Sequence, residues 1–320
     1  MTFTAYGKGC FFGLYATFAM SKLSESAYLV ALYRALESER SDALFQDPWA
    51  RQLAGGQGQL FQALLGDTKQ YADVIAIRTH LIDKLVQERI AHNNIGLVMN
   101  LGAGLDTRPY RLNLPPSLIW LDVDLPDILE YKHQTLLGVK PRCILKRIKG
   151  NLVDSTFRRS LFSVIHQLSK PALVITEGLL GYWTEHQVSK LAAHLSQQDR
   201  IGWWILELAA PTVLRGWHMQ YSQTLYDQYI GNGEPAFKFA PQQGPEFFQT
   251  WGWQVAHQYD VLDKLSHLQR ATPLVHLRAV MQRALGKLHI PQTIPSQVVL
   301  LAHPTGSRAE KSNSWLPSGQ

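Results

Sequence analysis

The sequence predicts an α/β fold with a doubly wound, mostly parallel sheet of seven strands. Short apolar runs recur along the chain, helical stretches separate them, and the central runs end in a glycine turn or a carboxylate. Strands that alternate with helices form a parallel sheet, and right-handed crossovers place helices on both of its faces. The predicted strands are 96–101, 118–123, 142–149, 172–177, 201–208, 254–259 and 298–303.

Helical periodicity occurs before the sheet and again near its end. We predict a first helix over 24–39, after which Asp47 and Pro48 break the pattern, and a second helix over about 72–91. The apolar stripe of the second helix consists of Ile75, Leu81, Ile82, Leu85 and Ile90. A further helix is predicted around 274–288, between the last two strands.

The 320 residues are predicted to form one large domain with appendages. The domain covers 24–304 and contains an insertion or lid at about 210–250, where aromatic residues, Gly, Pro and Gln replace the strand pattern. Residues 1–23 are predicted to be a loosely attached extension, and translation from Met1 or from Met20 stays an open alternative. The polar segment 305–320 is predicted to be a flexible tail.

Composition narrows the classes of protein and of partner. Lys and Arg number 31 against 25 Asp and Glu, so the net charge is +6, but the basic residues are too dispersed to predict nucleic-acid binding. No apolar run reaches the 18 or so residues that span a bilayer. Two cysteines, Cys10 and Cys143, match neither a disulfide framework nor a zinc cluster. We therefore expect a soluble, cytoplasmic protein without a metal site, and the oligomeric state is left open.

The sequence LGAGLDTR, at 101–108, follows the first predicted strand. Gly102 and Gly104 lack a Cβ, so the backbone can bend sharply there and a ligand can approach it closely. Asp124 lies 22 residues beyond Gly102, after the second strand, which is the spacing of an acid that binds ribose hydroxyls. A dinucleotide site would have a third glycine where this chain has Thr107. The pattern therefore favours an adenosine-containing ligand without a pyrophosphate.

Three segments together resemble a known family: NLGAGLDTRPYRL at 100–112, LDVDLP at 121–126 and ITEGLLGYW at 175–183. They look like the leucine carboxyl methyltransferase family of class I S-adenosylmethionine (SAM) enzymes, and most of all like its bacterial branch of polyketide-type O-methyltransferases. The resemblance covers roughly 24–188. It implies a Rossmann-like class I methyltransferase fold, SAM as the cofactor and methyl transfer to an oxygen atom.

The resemblance also implies roles for individual residues. Arg78 matches the family arginine that binds the methionine carboxylate of SAM, a task suited to the two parallel donors of a guanidinium. Gly102 matches a backbone contact to the methionine portion, and Gly104 keeps the turn open. Asp124 matches the acid that binds the ribose, whereas Asp122 is expected to stabilise the loop.

On the adenine side, Asn151 stands where relatives carry an aspartate that accepts a hydrogen bond from the exocyclic amine. An amide oxygen can accept the same bond without charge assistance, and Asp154 is the alternative acceptor. Leu152 is counted among the cofactor contacts. Glu177 matches a glutamate that faces the cofactor. Asp106 and Arg108 are expected to pair with each other or with the first helices.

These assignments have structural alternatives. Arg78 could be a surface charge on an amphipathic helix, Asp124 a helix cap, and Glu177 a helix cap or a buried pair. Asn151 could be an ordinary loop residue. The structure has to decide among these interpretations.

The acceptor is not identified by the sequence. It is expected to be a small molecule or a carboxylate, and no catalytic residue is assigned because methyl transfer depends mainly on positioning. His218 in the predicted lid is the nearest candidate base. An acceptor pocket or simple packing would explain the aromatic set Tyr182, Trp183, Trp217, Tyr221, Tyr226 and Tyr229 equally well. The rival functions are an NAD-dependent oxidoreductase and a non-catalytic SAM-binding protein.

Overall fold

A seven-stranded sheet lies at the centre of the computed structural model, which describes residues 25–65, 69–166, 170–211, 237–268 and 296–304. The strands are β1 (Leu97–Leu101), β2 (Ile119–Asp124), β3 (Ile144–Lys149), β4 (Ala172–Thr176), β5 (Ile201–Ala209), β6 (Gln254–Asp260) and β7 (Ser296–Ala302). Their order across the sheet is β3-β2-β1-β4-β5-β7-β6. The first five strands are parallel, and β7 is antiparallel to both of its neighbours. The predicted fold class is confirmed.

Helices cover both faces of this sheet. They are α1 (Glu25–Ser38), α2 (Ala50–Leu65), α3 (Lys69–His92), α4 (Arg108–Arg111), α5 (Pro126–Thr135), α6 (Ser155–His166), α7 (Glu185–Ser196) and α8 (Val261–His267). The helices predicted over 24–39 and 72–91 correspond to α1 and α3. The helix predicted around 274–288 lies outside the described residues, as do the whole N-terminal extension and the whole C-terminal tail.

The helix α2 was missed by the sequence analysis, so three described helices precede the sheet and not two. Its sequence contains Gly55, Gly56 and Gly58, which lower intrinsic helix propensity. Gly55 has φ 53° and ψ −158°, so α2 is kinked there. At Gly58 a Cβ would come within 2.9 Å of the Tyr28 carbonyl oxygen in α1. Close packing against α1 therefore explains why this helix carries a glycine at that position.

Two neighbouring tryptophans show how the sheet is buried on both faces. Successive side chains of a strand point to opposite faces, so Trp203 and Trp204 of β5 belong to different core clusters. Trp204 packs edge-on against Phe248 at 5.0 Å and against Trp253 at 5.5 Å between ring centroids. Trp203 lies beneath the Arg89 guanidinium of α3, at 4.6 Å. Both side chains belong to the core.

The described parts of the predicted lid are residues 210–211 and 237–250, and the second of them packs on the sheet. Phe239 and Phe248 are 2% and 0% exposed and join the same cluster as Trp204. Residues 212–236, which include His218, lie outside the described residues. Among the described helices, none is long and apolar enough to cross a membrane.

A buried ion pair joins β2 to α5. Lys132 Nζ donates to Asp122 Oδ2 at 2.7 Å, and both side chains are fully buried. Trp120 Nε1 donates to the other oxygen of Asp122 at 2.9 Å. Burial raises the pKa of Asp122, while Lys132 opposes that shift. The expectation that Asp122 has a stabilising role agrees with this contact, which anchors the helix after β2.

We predict that Lys132→Met lowers the free energy of unfolding by about 3–5 kcal/mol, because it leaves a buried carboxylate without its cation. The double variant Asp122→Asn with Lys132→Met should recover much of that loss, since no charge is then buried. Lys149→Met provides the control, because its ion pair with Glu130 also joins a strand to α5 but is half exposed. Urea denaturation measures all three variants. Equal losses in the Lys132 and Lys149 variants would contradict the prediction.

Candidate functional site

A cavity opens at the edge of the sheet where the parallel strands β1 to β4 end. In doubly wound sheets this edge is the usual place for ligands. The loops that follow these four strands, together with α1 and α3, line the cavity. All of the residues that the sequence assigned to cofactor binding are in its lining: Arg78, Gly102, Gly104, Asp124, Asn151, Leu152 and Glu177.

The glycine turn, residues 102–104, forms the floor of the cavity directly after β1. Gly102 has φ 72° and Gly104 has φ 43°, a region that favours glycine. A Cβ on Gly102 would come within 3.0 Å of Leu179 Cδ1, so the turn also has no room for a side chain there. The Gly102 N–H donates to the Val123 carbonyl oxygen at 2.8 Å, which ties the turn to the end of β2.

Asp124 connects the end of β2 to the glycine turn. Its Oδ2 accepts a hydrogen bond from the Gly104 N–H at 2.6 Å, and its Oδ1 accepts one from the Leu125 N–H at 2.7 Å. Burial raises the pKa of Asp124, while the two N–H bonds oppose the shift. Each carboxylate oxygen has more than one lone pair, so both can accept a further bond from a ligand. Asp124 therefore shapes the turn and also faces the cavity.

Arg78 is held by two carboxylates at the ends of neighbouring strands. Its Nε donates to Glu177 Oε1 at 2.9 Å, and its Nη1 donates to Glu207 Oε2 at 2.7 Å. The residue is 6% exposed, which rules out the alternative of a surface charge. Because the two bonds use different nitrogens of one planar group, they fix its orientation. Within the described residues no acceptor lies at Nη2, so that nitrogen has donors left for a ligand.

Arg108 lies below Glu177 and links three carboxylates. It donates from Nη1 to Asp106 at 2.9 Å and to Glu177 at 2.7 Å, and from Nε to Asp83 of α3 at 2.6 Å. Both of the expected partners of Arg108, namely Asp106 and the first helices, are present. Burial alone would raise the pKa of Glu177, but Arg108 and Arg78 outweigh it and the net shift is downward. Glu177 is therefore a buried pair and a cavity residue at once.

Glu207 was not singled out by the sequence analysis. Its carboxylate accepts bonds from Arg78, from the Gly178 N–H at 3.0 Å and from Ser296 Oγ at 2.7 Å. One signal could have found it, because Glu207 is the acid near the end of β5 just as Glu177 is the acid after β4. The sequence analysis overlooked Glu207 because the rest of that strand is almost entirely apolar.

The loop after β3, residues 150–153, forms one wall of the cavity and is called the β3 loop here. Asn151 Oδ1 accepts a hydrogen bond from the Val153 N–H at 2.9 Å, and the Asp154 N–H donates to the Asn151 carbonyl oxygen at 3.0 Å. One lone pair of the amide oxygen is thus already used, and the N–H2 group of the side chain donates to no acceptor within the described residues. Asp154, the alternative acceptor, binds the Thr156 N–H at the start of α6 and is not among the described lining residues.

Aromatic side chains border the cavity on the side of α1. Tyr182 stacks on Phe237 at 5.0 Å between ring centroids, and its hydroxyl lies 3.5 Å from Ser26 Oγ. Trp183 is buried and also lines the cavity. The remaining members of the predicted aromatic set lie outside the described residues: Trp217, Tyr221, Tyr226 and Tyr229.

Curated relatives match a little more than half of this chain. A protein of Streptomyces coelicolor, named "Putative S-adenosyl-L-methionine-dependent methyltransferase", is 34% identical over 182 residues, which are 54% of this chain and 64% of the relative. A protein of the same name from Mycobacteroides abscessus is 30% identical over 204 residues, 57% of this chain and 63% of the relative. The match therefore spans somewhat less than two thirds of these relatives.

Solved structures share the fold at low sequence identity. A DUF574 family protein from Streptomyces avermitilis is 13% identical with a TM-score of 0.52, covering 87% of this chain and 97% of the other. The structure of a putative methyltransferase from Thermobifida fusca is 12% identical with a TM-score of 0.52. The match covers 87% of this chain and 94% of the other. These likenesses show a shared architecture.

The family model of leucine carboxyl methyltransferase matches residues 27–196, which is more than half of the chain. This range contains the glycine turn, the β3 loop and every residue that the sequence assigned to the cavity. The chain belongs to the leucine carboxyl methyltransferase family.

Proposed function

We propose that this chain is an O-methyltransferase that binds SAM in the cavity and methylates a small-molecule or carboxylate acceptor. One observation carries the proposal: five separate segments of the chain bring the implied cofactor residues into the lining of one cavity. Family membership and the names of the relatives support the same reaction class. The cavity lies at the strand ends where this fold binds ligands.

The side chains present fit SAM group by group. Arg78, with Nη2 available, suits the methionine carboxylate, because a guanidinium donates two directed hydrogen bonds. Asp124 suits the ribose hydroxyls, and the β3 loop suits the adenine. When bound, SAM supplies a methyl group on a positively charged sulfur. Among the described lining carboxylates, Asp106 and Glu177 are paired with arginines, whereas Asp124 forms no ion pair and favours positive charge on a ligand.

The hydrogen bonds that follow the glycine turn argue against a dinucleotide. A pyrophosphate would need free N–H groups at a helix N-terminus. The helix after the glycine turn, α4, has four residues, and its first N–H, that of Arg108, donates to Asp106 Oδ1 at 2.9 Å. Thr107, which stands at the third-glycine position, is fully buried and donates to Asp47 at 2.6 Å. These contacts support SAM over NAD.

Catalysis by this cavity would rest on positioning. Methyl transfer needs the acceptor oxygen in line with the methyl group, and holding the two reactants in that arrangement supplies most of the rate enhancement. Tyr182 and Trp183 also line the cavity and offer a surface for the acceptor. An acceptor carboxylate is already ionised near neutral pH, so it would need no protein base.

Binding and turnover test the proposal separately. Calorimetry with SAM and its product S-adenosylhomocysteine (SAH) should detect binding, and native mass spectrometry should detect either molecule in the purified protein. Binding of NADH without binding of SAM would support the oxidoreductase. Tight SAM binding without turnover across a broad panel of carboxylates, alcohols and phenols would support a non-catalytic SAM-binding protein.

We predict that Arg78→Gln weakens SAH binding more than tenfold, because a hydrogen bond between charged groups contributes about 1.5–3 kcal/mol. 5′-Methylthioadenosine lacks the amino-acid carboxylate, so its affinity should change by less than about threefold. Calorimetry measures both ligands. Lys84→Gln, on the exposed side of the same helix, is the control. An unchanged SAH affinity would remove Arg78 from the ligand site.

We predict that Asn151→Asp leaves SAH affinity equal or improves it. The carboxylate can still accept from the Val153 N–H, and its second oxygen replaces a donor by an acceptor for the exocyclic amine of adenine. Asn94→Asp makes the same charge change at an exposed residue before β1 and controls for net charge. A loss of more than tenfold, measured by calorimetry, would mean that the β3 loop does not contact adenine.

We predict that the stabilising effect of Glu177 is lost in acid. The folded pKa of Glu177 lies below its ordinary value of 4.5, so its contribution is complete above that pH and disappears as the pH falls through the lowered value. The difference in Tm between the native protein and Glu177→Gln should therefore be large at pH 7 and shrink below about pH 4. Glu185→Gln, on the surface of α7, is the control. A Tm difference that is constant with pH would contradict the prediction.

A further inference from the structure

Arg158 is a buried cation that the proposed function does not use. It lies on α6 and is 1% exposed, among the most buried large side chains of the described chain. A guanidinium in such a place needs hydrogen-bond acceptors to offset its lost hydration. Within the described residues no carboxylate lies at ion-pair distance from it, in contrast to Arg78 and Arg108. The side chain of Arg158 therefore depends on uncharged hydrogen-bond acceptors.

Two of these partners belong to the β3 loop. Arg158 Nη1 donates to the Leu152 carbonyl oxygen at 2.5 Å and to the Val153 carbonyl oxygen at 3.0 Å. On the other side, its Nε donates to His194 Nδ1 of α7 at 3.4 Å. Burial and the nearby Arg158 charge lower the pKa of His194, which favours the neutral ring that this bond requires. Arg158 thus joins α6, α7 and two consecutive carbonyl groups of a cavity wall.

These bonds hold a loop in which few side chains are buried. Asn151 and Val153 are exposed, and Leu152 is the buried member between them. The Asn151 side chain fixes the Val153 N–H from the cavity side, while Arg158 fixes the two carbonyl groups from the protein side. The Asp154 N–H also donates to the Asn151 carbonyl oxygen, so both groups of the peptide planes 152–153 and 153–154 are bonded and neither plane can rotate freely. The direction of the loop's remaining polar groups is then set before a ligand arrives.

We propose that Arg158 is a positioning residue that pre-orients the β3 loop for the heterocyclic base of the ligand. This inference rests on the proposed function, because it assumes that the adenosine part of SAM lies against this loop. Pre-organisation improves affinity by reducing the ordering cost of binding. Loss of Arg158 therefore weakens every ligand that carries the base, whether or not the ligand has an amino-acid part.

Calorimetry with SAH and 5′-methylthioadenosine tests this inference. Arg158→Met should weaken both ligands by a similar factor of tenfold or more, whereas Arg78→Gln weakens SAH selectively. Arg158→Lys should give an intermediate loss, because one ammonium group cannot reproduce the fork that reaches two carbonyls and His194. Arg159→Met is the matched control, since Arg159 is the next residue of α6 but is exposed and donates to Thr156.

Hydrogen exchange of residues 150–154 provides a second measurement that does not depend on the methionine variant folding. The Val153 and Asp154 amides should exchange faster in Arg158→Lys than in the native protein, because the loop is held less firmly. Unchanged affinity and exchange in the lysine variant would overturn the inference, as would loss of SAH binding without loss of 5′-methylthioadenosine binding. A lower Tm with unchanged affinities would make Arg158 a purely structural residue. Failure of the native protein to bind either ligand would instead refute the proposed function.

Discussion

The arrangement of the cavity depends on the buried ion pairs of Arg108. Its guanidinium is 2% exposed and binds carboxylates from α3, from the segment after the glycine turn and from the end of β4. A buried charge is costly unless each of its donors finds an acceptor, so this geometry is tightly constrained. Through Glu177 the constraint passes to Arg78, which shares that carboxylate. The position of the Arg78 guanidinium in the cavity lining is therefore set by a network of buried ion pairs.

The network also explains why acidic groups can line a site that is proposed to bind a carboxylate. Glu177 and Glu207 are each paired with guanidinium groups and do not stand as free anions. What they supply to Arg78 is direction, since they bind two of its three nitrogens. Asp124, which forms no ion pair within the described residues, leaves its side of the cavity suited to a cationic centre. Orientation and charge are thus provided by the same few residues.

The sequence was sufficient for most of the fold because the relevant signals are local. Buried parallel strands are short apolar runs, and β1 and β4 are buried at every residue. The glycine turn and the acid after β2 are also local, and the structure brings both to one cavity. The sequence analysis missed α2, because its glycines suit close packing against α1 and not intrinsic helix formation. A packing requirement of that kind leaves no periodic signal in the segment itself.

By itself the sequence determined the order of strands along the chain, the family and seven of the residues that line the cavity. The tertiary structure decided what those side chains do there. Arg78 binds Glu177 and Glu207, which lie 99 and 129 residues away, and Arg158 binds His194 across 36 residues. Asn151 accepts a hydrogen bond from the Val153 N–H within its own loop. Local spacing predicts which residues reach a strand end, but hydrogen-bond partners depend on which strands and helices become neighbours, and that is a property of the folded chain.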